Sequence, residues 1–328
     1  MAEKATIYQT CQIGVETTPG TAVSATKKLL SASMAIKPRT EFDKYRPAGT
    51  KYTTLAAQGK EWSEIAISGK PSYNELPYFF SSLLHYAAPV QQGGSAAYKW
   101  TFESNNAAED VGKTYTVEQG DGTANEAWRA AGVKVSGMTF DFNRNTIDMS
   151  GTAVGQSIET GKTLSSGVTS LAQVPVMPTQ LKFYMADLQT DLATATAITR
   201  SFSMQWSLTD KFGLAWPVGQ SPIAVEGEPN YSARIKIATD ATGMGLISLM
   251  RAGTVKWFRI KAEGGLAYTG YNYTFQIDFP AVITEIGDMA DQENIYAIEY
   301  GLSPIFDPSW GTSGKSLEII VINTLSSL

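Results

Sequence analysis

Apolar residues in this chain recur mostly with period two, in runs bounded by Gly, Pro, Asn and Asp, and that one pattern removes most folds from consideration. Such alternation sets one face of an extended segment on a core and the other in water, as half-buried strands require and helices do not. In "GVKVSGMTFDFNRNTIDMSGTAVG", Met138, Phe140 and Phe142 point one way, Thr139 and Asp141 the other, and Asn143 to Asn145 make the turn. A counterpart, "YTFQIDFPAVITEIGDMADQENIYAIEYGLSP", holds the acidic loop Gly287 to Glu293 between two strands. The fold class expected from this patterning is mainly β.

Helical signals are few. Ser72 and Glu75 have capping-box spacing; Asn74 is an alternative cap that would place Pro77 in the first turn, where proline is tolerated, and a helix over 75–86 follows. Thr239 or Asp240 caps a second helix running to Arg251, and Gly253 stops it.

The two helices lie in stretches that echo each other. "EWSEIAISGKPSYNELPYFFSSLL" at Glu61 to Leu84 and "NYSARIKIATDATGMGLISLM" at Asn230 to Met250 both run from an aromatic residue through a strand and a polar turn into an amphipathic segment. The alignment sets Ile65 and Ile67 on Ile235 and Ile237; a Lys-Trp pair follows each helix, Lys99-Trp100 and Lys256-Trp257, and then comes the hairpin. With 328 residues the chain has room for two domains of about 150 residues each. The reading is two tandem β-sandwich domains with one flanking helix apiece, 1–155 and 181–328, joined by a Ser-, Thr- and Gly-rich linker over 156–180. The alternative is one large sandwich with accidental similarities.

Charged residues make up 17% of the chain, below the roughly 25% usual for soluble domains, so much surface must be covered by Ser, Thr, Gly, Asn and Gln or by other subunits. The net charge of -5 is unevenly placed: residues 1–155 hold 15 Lys+Arg against 15 Asp+Glu, and residues 156–328 hold 11 against 16. No basic stripe suited to gripping phosphates exists, which disfavours tight nucleic-acid binding. The stretch "MAEKATIYQT" has no apolar run and no segment is long and apolar enough for a membrane span, so synthesis in the cytoplasm without membrane insertion is expected.

Chemistry has little to work with. The lone cysteine, Cys11, excludes an internal disulfide and a multi-cysteine metal cluster, and the lone histidine, His85, sits on the apolar face of the first expected helix, a structural position. "GTSGKSLEII" at Gly311 to Ile320 misses the phosphate-loop spacing and reads as a turn into a C-terminal strand; "GMG" at Gly243 to Gly245 lacks the rest of a dinucleotide fingerprint. The expectation is no enzyme, no cofactor and no metal. The remaining long segment, "KPRTEFDKYRPAGTKYTTLAAQGKE", spans 25 residues and reads as irregular. Its Lys37, Arg39, Lys44, Arg46, Lys51 and Lys60 outnumber Glu41, Asp43 and Glu61. It is either a solvated loop or a basic arm that pairs with the acidic loop of another subunit.

Three stretches, "IGVETTPGTAVSATKKLL", "YRPAGTKYTTLAAQGKEWSEIAISGKPSYNELPYFFSSLL" and "YNYTFQIDFPAVITEIG", resemble the tail tube (major tail) proteins of long non-contractile-tailed bacteriophages. The resemblance implies a small sandwich with one flanking helix, six of which form a ring whose inner sheets join into a β-barrel, with rings stacking into the tail. A chain carrying two such domains is then expected to form trimeric rings of pseudo-sixfold symmetry, located in the virion. The implied partners are further copies of itself, the tape-measure protein and double-stranded DNA passing through the lumen without specific binding, and the tail tip and tail terminator proteins. The hairpins at 133–154 and 273–302 would line the lumen, with Asp141, Asp148, Glu285 and Glu299 as candidate inward charges, although alternation does not say which face is inward. The family's long loop maps onto residues 37–60 and would reach the neighbouring subunit or ring. Competing readings are the tube of a contractile injection machine, a virion-associated β-sandwich decoration protein recognising carbohydrate or a receptor, and an enzyme.

Overall fold

The computed structural model describes residues 6–328; residues 1–5, where the N-terminal stretch without an apolar run begins, lie outside the described residues. The chain is mainly β, with two α-helices among the described residues. The first half supplies β1 (Thr10–Val15), β2 (Lys27–Leu29), β3 (Ala32–Tyr45), β4 (Leu55–Gly69), α1 (Leu76–Leu83), β5 (Val90–Gln91), β6 (Tyr98–Glu103), β7 (Tyr115–Gly120), β8 (Ala127–Asn143), β9 (Ile147–Gly155), β10 (Ile158–Lys162) and β11 (Thr169–Ser170). The second supplies β12 (Leu181–Ala186), β13 (Ser201–Thr209), β14 (Phe212–Ala215), β15 (Ile223–Glu226), β16 (Asn230–Ala238), α2 (Ala241–Ala252), β17 (Lys256–Tyr268), β18 (Tyr271–Ile286), β19 (Ala290–Gln292), β20 (Ile295–Pro304) and β21 (Glu318–Asn323).

One antiparallel run has the order β3-β4-β9-β8-β13-β16-β20-β18, and β19 continues along β20 where β18 stops. It consists of two four-strand runs with the same connectivity, meeting where β8 pairs with β13. Two further runs, β11-β2-β1-β7-β8-β10 and β12-β17-β18-β21-β6-β5, account for the other long pairings. The long strands β8 and β18 each belong to two runs. Gly132 sits where β8 changes partners, its φ of 63° being open to glycine and strained for other residues, and Pro280 marks the corresponding passage in β18.

Alternation decides the register. Ile65 and Ile67 face Ala153 and Gly151 across β9, Ile235 and Ile237 face Tyr300 and Ile298 across β20, and all four isoleucines are buried. A one-residue slip would put every one of them in water. Both halves feed a single contiguous core. Phe80 of α1 lies 5.8 Å from Phe140 of β8 and 5.9 Å from Phe275 of β18, centroid to centroid, so the first helix packs against strands of both halves.

The helices follow their expected signals with two adjustments. α2 starts at the Asp240 cap, whose Oδ1 accepts the Thr242 and Gly243 amides at 3.0 Å, and ends at Gly253 in the left-handed region. Asp240→Ala is expected to cost about 1 kcal/mol, read as a lowered denaturant midpoint at unchanged slope. α1 ends at Leu83, short of the expected residue 86, and no side chain caps it. Glu75 instead turns its buried carboxylate away from the helix, accepting the amides of Leu30, Ser31 and Ala32 at 2.7, 2.8 and 2.9 Å; burial raises its pKa while these amides oppose the rise.

Four sequence expectations change on contact with the structure. The segment 156–180 is not free linker: it adds β10 to the edge of β8 and β11 to β2. The Lys-Trp pairs occupy unlike strands, since Lys99 and Trp100 lie in β6 against the C-terminal β21 whereas Lys256 and Trp257 open β17 against β18. The terminal strand "SLEIIVIN", open from its sequence to a place in a neighbour's sheet, instead forms β21 between β18 and β6 of its own chain, with Trp100 Nε1 donating to Asn323 Oδ1 at 3.1 Å. The fourth concerns residues 37–60 and belongs to the next section.

Candidate functional site

The outward face of the eight-strand run is built by default: once Met138, Phe140, Phe142, Met204, Trp206 and Leu208 go to the core, their neighbours in sequence must face away from it. Asp141, Asp148, Glu285 and Glu299 all lie on this face. Asp141 stands directly opposite Asp148 on β9 and accepts Gln205 Nε2 at 2.6 Å from β13. Lys70 pairs with Asp148, and that contact holds the carboxyl below its usual range. Glu299 accepts Arg234 Nη1 at 3.2 Å and stands opposite Lys236, while Glu285 is exposed opposite Gly301.

The face is thus polar with its charges interleaved, not simply acidic. Lys70, Arg234 and Lys236 were not singled out from the sequence, although burial of Ile235 and Ile237 on the same strand requires Arg234 and Lys236 to point outward.

The junction of β8 with β13 shows how two four-strand runs join. On the core side Phe140 pairs with Trp206, ring centroids 6.0 Å apart, beside Met138·Leu208 and Phe142·Met204. On the polar side Thr139 Oγ1 meets Ser207 Oγ at 2.8 Å. The run's two ends have no such partner strand among the described residues: β3 pairs only with β4, and the β18–β19 margin pairs only with β20. Part of the β3 margin is occupied, because Ile36 N–H donates to Gln119 Oε1 at 2.9 Å.

Residues 37–60, expected to be irregular, form the outer part of the β3–β4 hairpin, paired from Lys37·Glu64 out to Tyr45·Leu55 and closed by residues 46–54. This arm is exposed on both faces, so it carries no period-two apolar signal. Lys37, Arg39, Lys44, Arg46 and Lys51 are all exposed on it; Arg39 Nε reaches Glu64 Oε2 at 2.8 Å. Its outer end also exposes Phe42, Tyr45, Tyr52 and Leu55, the tyrosine at 52 by 72%. The hairpin at the matching place in the second half, β14–β15, behaves differently. It lies back over β8 and β9, with Phe212 buried, Lys211 N–H donating to Ser136 O at 2.9 Å, and Trp216 edge-on to Trp62 at 5.6 Å.

The lone cysteine and the lone histidine lie in different surroundings. Cys11 is buried and its thiol is pushed up to about 12 by desolvation; His85 lies past the end of α1, exposed, with Asn105 Nδ2 3.4 Å from Nδ1. Among the described residues no group of three His, Cys, Asp or Glu side chains is placed to hold a metal, and no helix is long and apolar enough to cross a membrane. No protein-family model matches the chain, and no curated protein matches it.

Proposed function

We propose that this chain is a structural subunit that closes with copies of itself into rings, and that stacked rings form a tube for passage of double-stranded DNA, the tail tube role its sequence resembles. The observation carrying the reading is the β8·β13 junction: two four-strand runs of equal connectivity are already joined side by side, and the outer margins of the pair are left open. Pairing β3 of one copy with the β18–β19 margin of the next repeats that junction and removes both open margins of the eight-strand run. The same connectivity supports reading the halves as duplicated tube-type domains.

Dimensions favour three copies. Twenty-four strands spaced about 4.8 Å apart give a backbone circumference of about 115 Å, and a tilt of about 40° widens the radius to about 24 Å. After about 5 Å for side chains this leaves a channel near 38 Å, ample for a duplex about 20 Å across, whereas two copies leave about 22 Å, with almost no clearance. The interleaved charges suit such a channel, because each cation on the sheet face named above already has a protein partner and is a poor grip for phosphate.

The apolar residues at the open ends point the same way. Ile286, Met289, Ile295 and Tyr296 are exposed at the β18–β20 tip, and Phe42, Tyr45, Tyr52 and Leu55 on the arm. Negative-stain electron microscopy of the full chain should show rings or tubes with three repeats of two similar lobes around an open channel. Closed dimers without a channel would sink the proposal. Met289→Lys, placed to face the basic arm, is expected to abolish rings while moving the melting temperature little, since the residue is exposed.

A further inference from the structure

Beneath the β14–β15 hairpin lies a half-open cavity of about 330 Å³ whose lining includes Pro19, Val111, Lys134, Gln156, Phe212 and Ile223. Its walls are largely apolar and also carry Glu109, Asp110 and Lys134, the last of which has no direct ion-pair partner. Lys134 is only 7% exposed, and its ammonium makes no hydrogen bond or ion pair among the described residues; it rests 4.5 Å from the centroid of the Phe212 ring and against Gly112, where a Cβ would come within 2.8 Å of Nζ. Of the three carboxylates nearby, Glu109 lines the cavity and is exposed to solvent, and the other two are committed elsewhere. Asp110 pairs with the buried Lys211, and Glu226 lies 3.4 Å from that same ammonium while accepting the Asp110 amide at 2.6 Å.

A largely buried cation seated on an aromatic face, with carboxylates near it but none in direct contact, still has a place for one anionic partner. We propose that this cavity is a binding site for a small carboxylate with a compact apolar body, the carboxylate accepting from Lys134 and the body lying against Phe212, Val111 and Ile223. Gln156 offers a second donor from the same wall, its side-chain amide making no hydrogen bond among the described residues. The volume sits at the small end of ligand pockets and fits a molecule of about ten heavy atoms. Desolvation, and then the neighbouring Lys211, lower the Lys134 pKa to about 8; Glu226, Asp110 and Glu109 oppose the shift without cancelling it. The inference does not depend on the tube reading, since the cavity lies within one chain.

Sodium benzoate is a suitable probe, followed on the full chain by saturation-transfer NMR and thermal unfolding at pH 7. Saturable binding in the millimolar range or tighter is expected, about tenfold weaker for neutral benzamide and for the Lys134→Met variant. Lys134→Met itself should fold and melt higher than the parent. The parent's stability should also climb relative to the variant between pH 8 and 10.5: the unfolded lysine still holds its proton there while the folded one has lost it. Benzoate binding equally well to the methionine variant, acetate matching benzoate, or no saturable binding to the parent would each overturn the site.

Discussion

Replacing Trp206 by alanine is expected to lower the unfolding free energy by about 3–5 kcal/mol, the usual cost of emptying a large aromatic site that cannot collapse. Trp206 is fully buried at the β8·β13 junction, 6.0 Å from Phe140 and 5.9 Å from Tyr231, and its Nε1 donates to the Tyr231 hydroxyl at 3.2 Å. The loss therefore combines a cavity with an orphaned hydroxyl whose burial holds its pKa well above the ordinary tyrosine value. Because the core is contiguous across the junction, one cooperative transition should move as a whole, seen alike by far-UV circular dichroism and tryptophan fluorescence. Two transitions, of which only the later half of the chain responds, would show instead that the halves fold independently and merely touch at Trp206.

That shared core is what the sequence concealed. Alternation in 133–154 and 273–302 located the paired strands β8–β9 and β18–β20, and the Ile65/Ile67 and Ile235/Ile237 correspondence placed β4 and β16 at matching positions of the two runs. Local chemistry also announced α2, because Asp240 and Gly253 act within one helical turn. The junction is another matter: β8 and β13 are separated by about sixty residues of other strands, and nothing in Met138–Asn143 names Ser203–Leu208 as its partner. The insertion of β21 between β18 and β6 is equally non-local. The arm escaped for the opposite reason. Its strands are exposed on both faces, so polar and apolar residues need not alternate, and a hairpin of that kind is indistinguishable in sequence from a loop. Among the candidate charges, Asp141, Asp148 and Glu299 share a face because each is flanked by core residues, and Glu285 joins them opposite Gly301; the cations that pair with Asp148 and Glu299, Lys70 and Arg234, come from beyond a strand's end or from another strand.

The largest electrostatic effect is expected at Lys211. Its ammonium is fully buried, paired with Asp110, 3.1 Å from Ser104 Oγ and 3.4 Å from Glu226. Asp110 in turn accepts Ser104 Oγ at 2.8 Å and the Asn105 amide at 2.9 Å. Asp110→Asn keeps the shape but leaves a buried cation with only the more distant Glu226, and should cost about 3–5 kcal/mol. Lys211→Met should cost less, since the Asp110 carboxylate keeps two donors. The double variant Lys211→Met, Asp110→Asn should recover part of the loss, because no uncompensated charge then remains at the centre of the cluster; a double-mutant cycle by urea unfolding measures the coupling. If Asp110→Asn costs under about 1 kcal/mol, the cluster is hydrated and the argument fails. The damage should also be local in a recognisable way. Lys211 N–H donates to Ser136 O, the bond that fastens the base of the β14–β15 hairpin to β8, and Gly227 N–H donates to Lys211 O, closing that base, so both amide protons should exchange faster in Asp110→Asn than those of Ile235 or Ile277 in the core. Uniform acceleration across the chain would mean that the pair supports global stability alone and does not hold the hairpin over the first half.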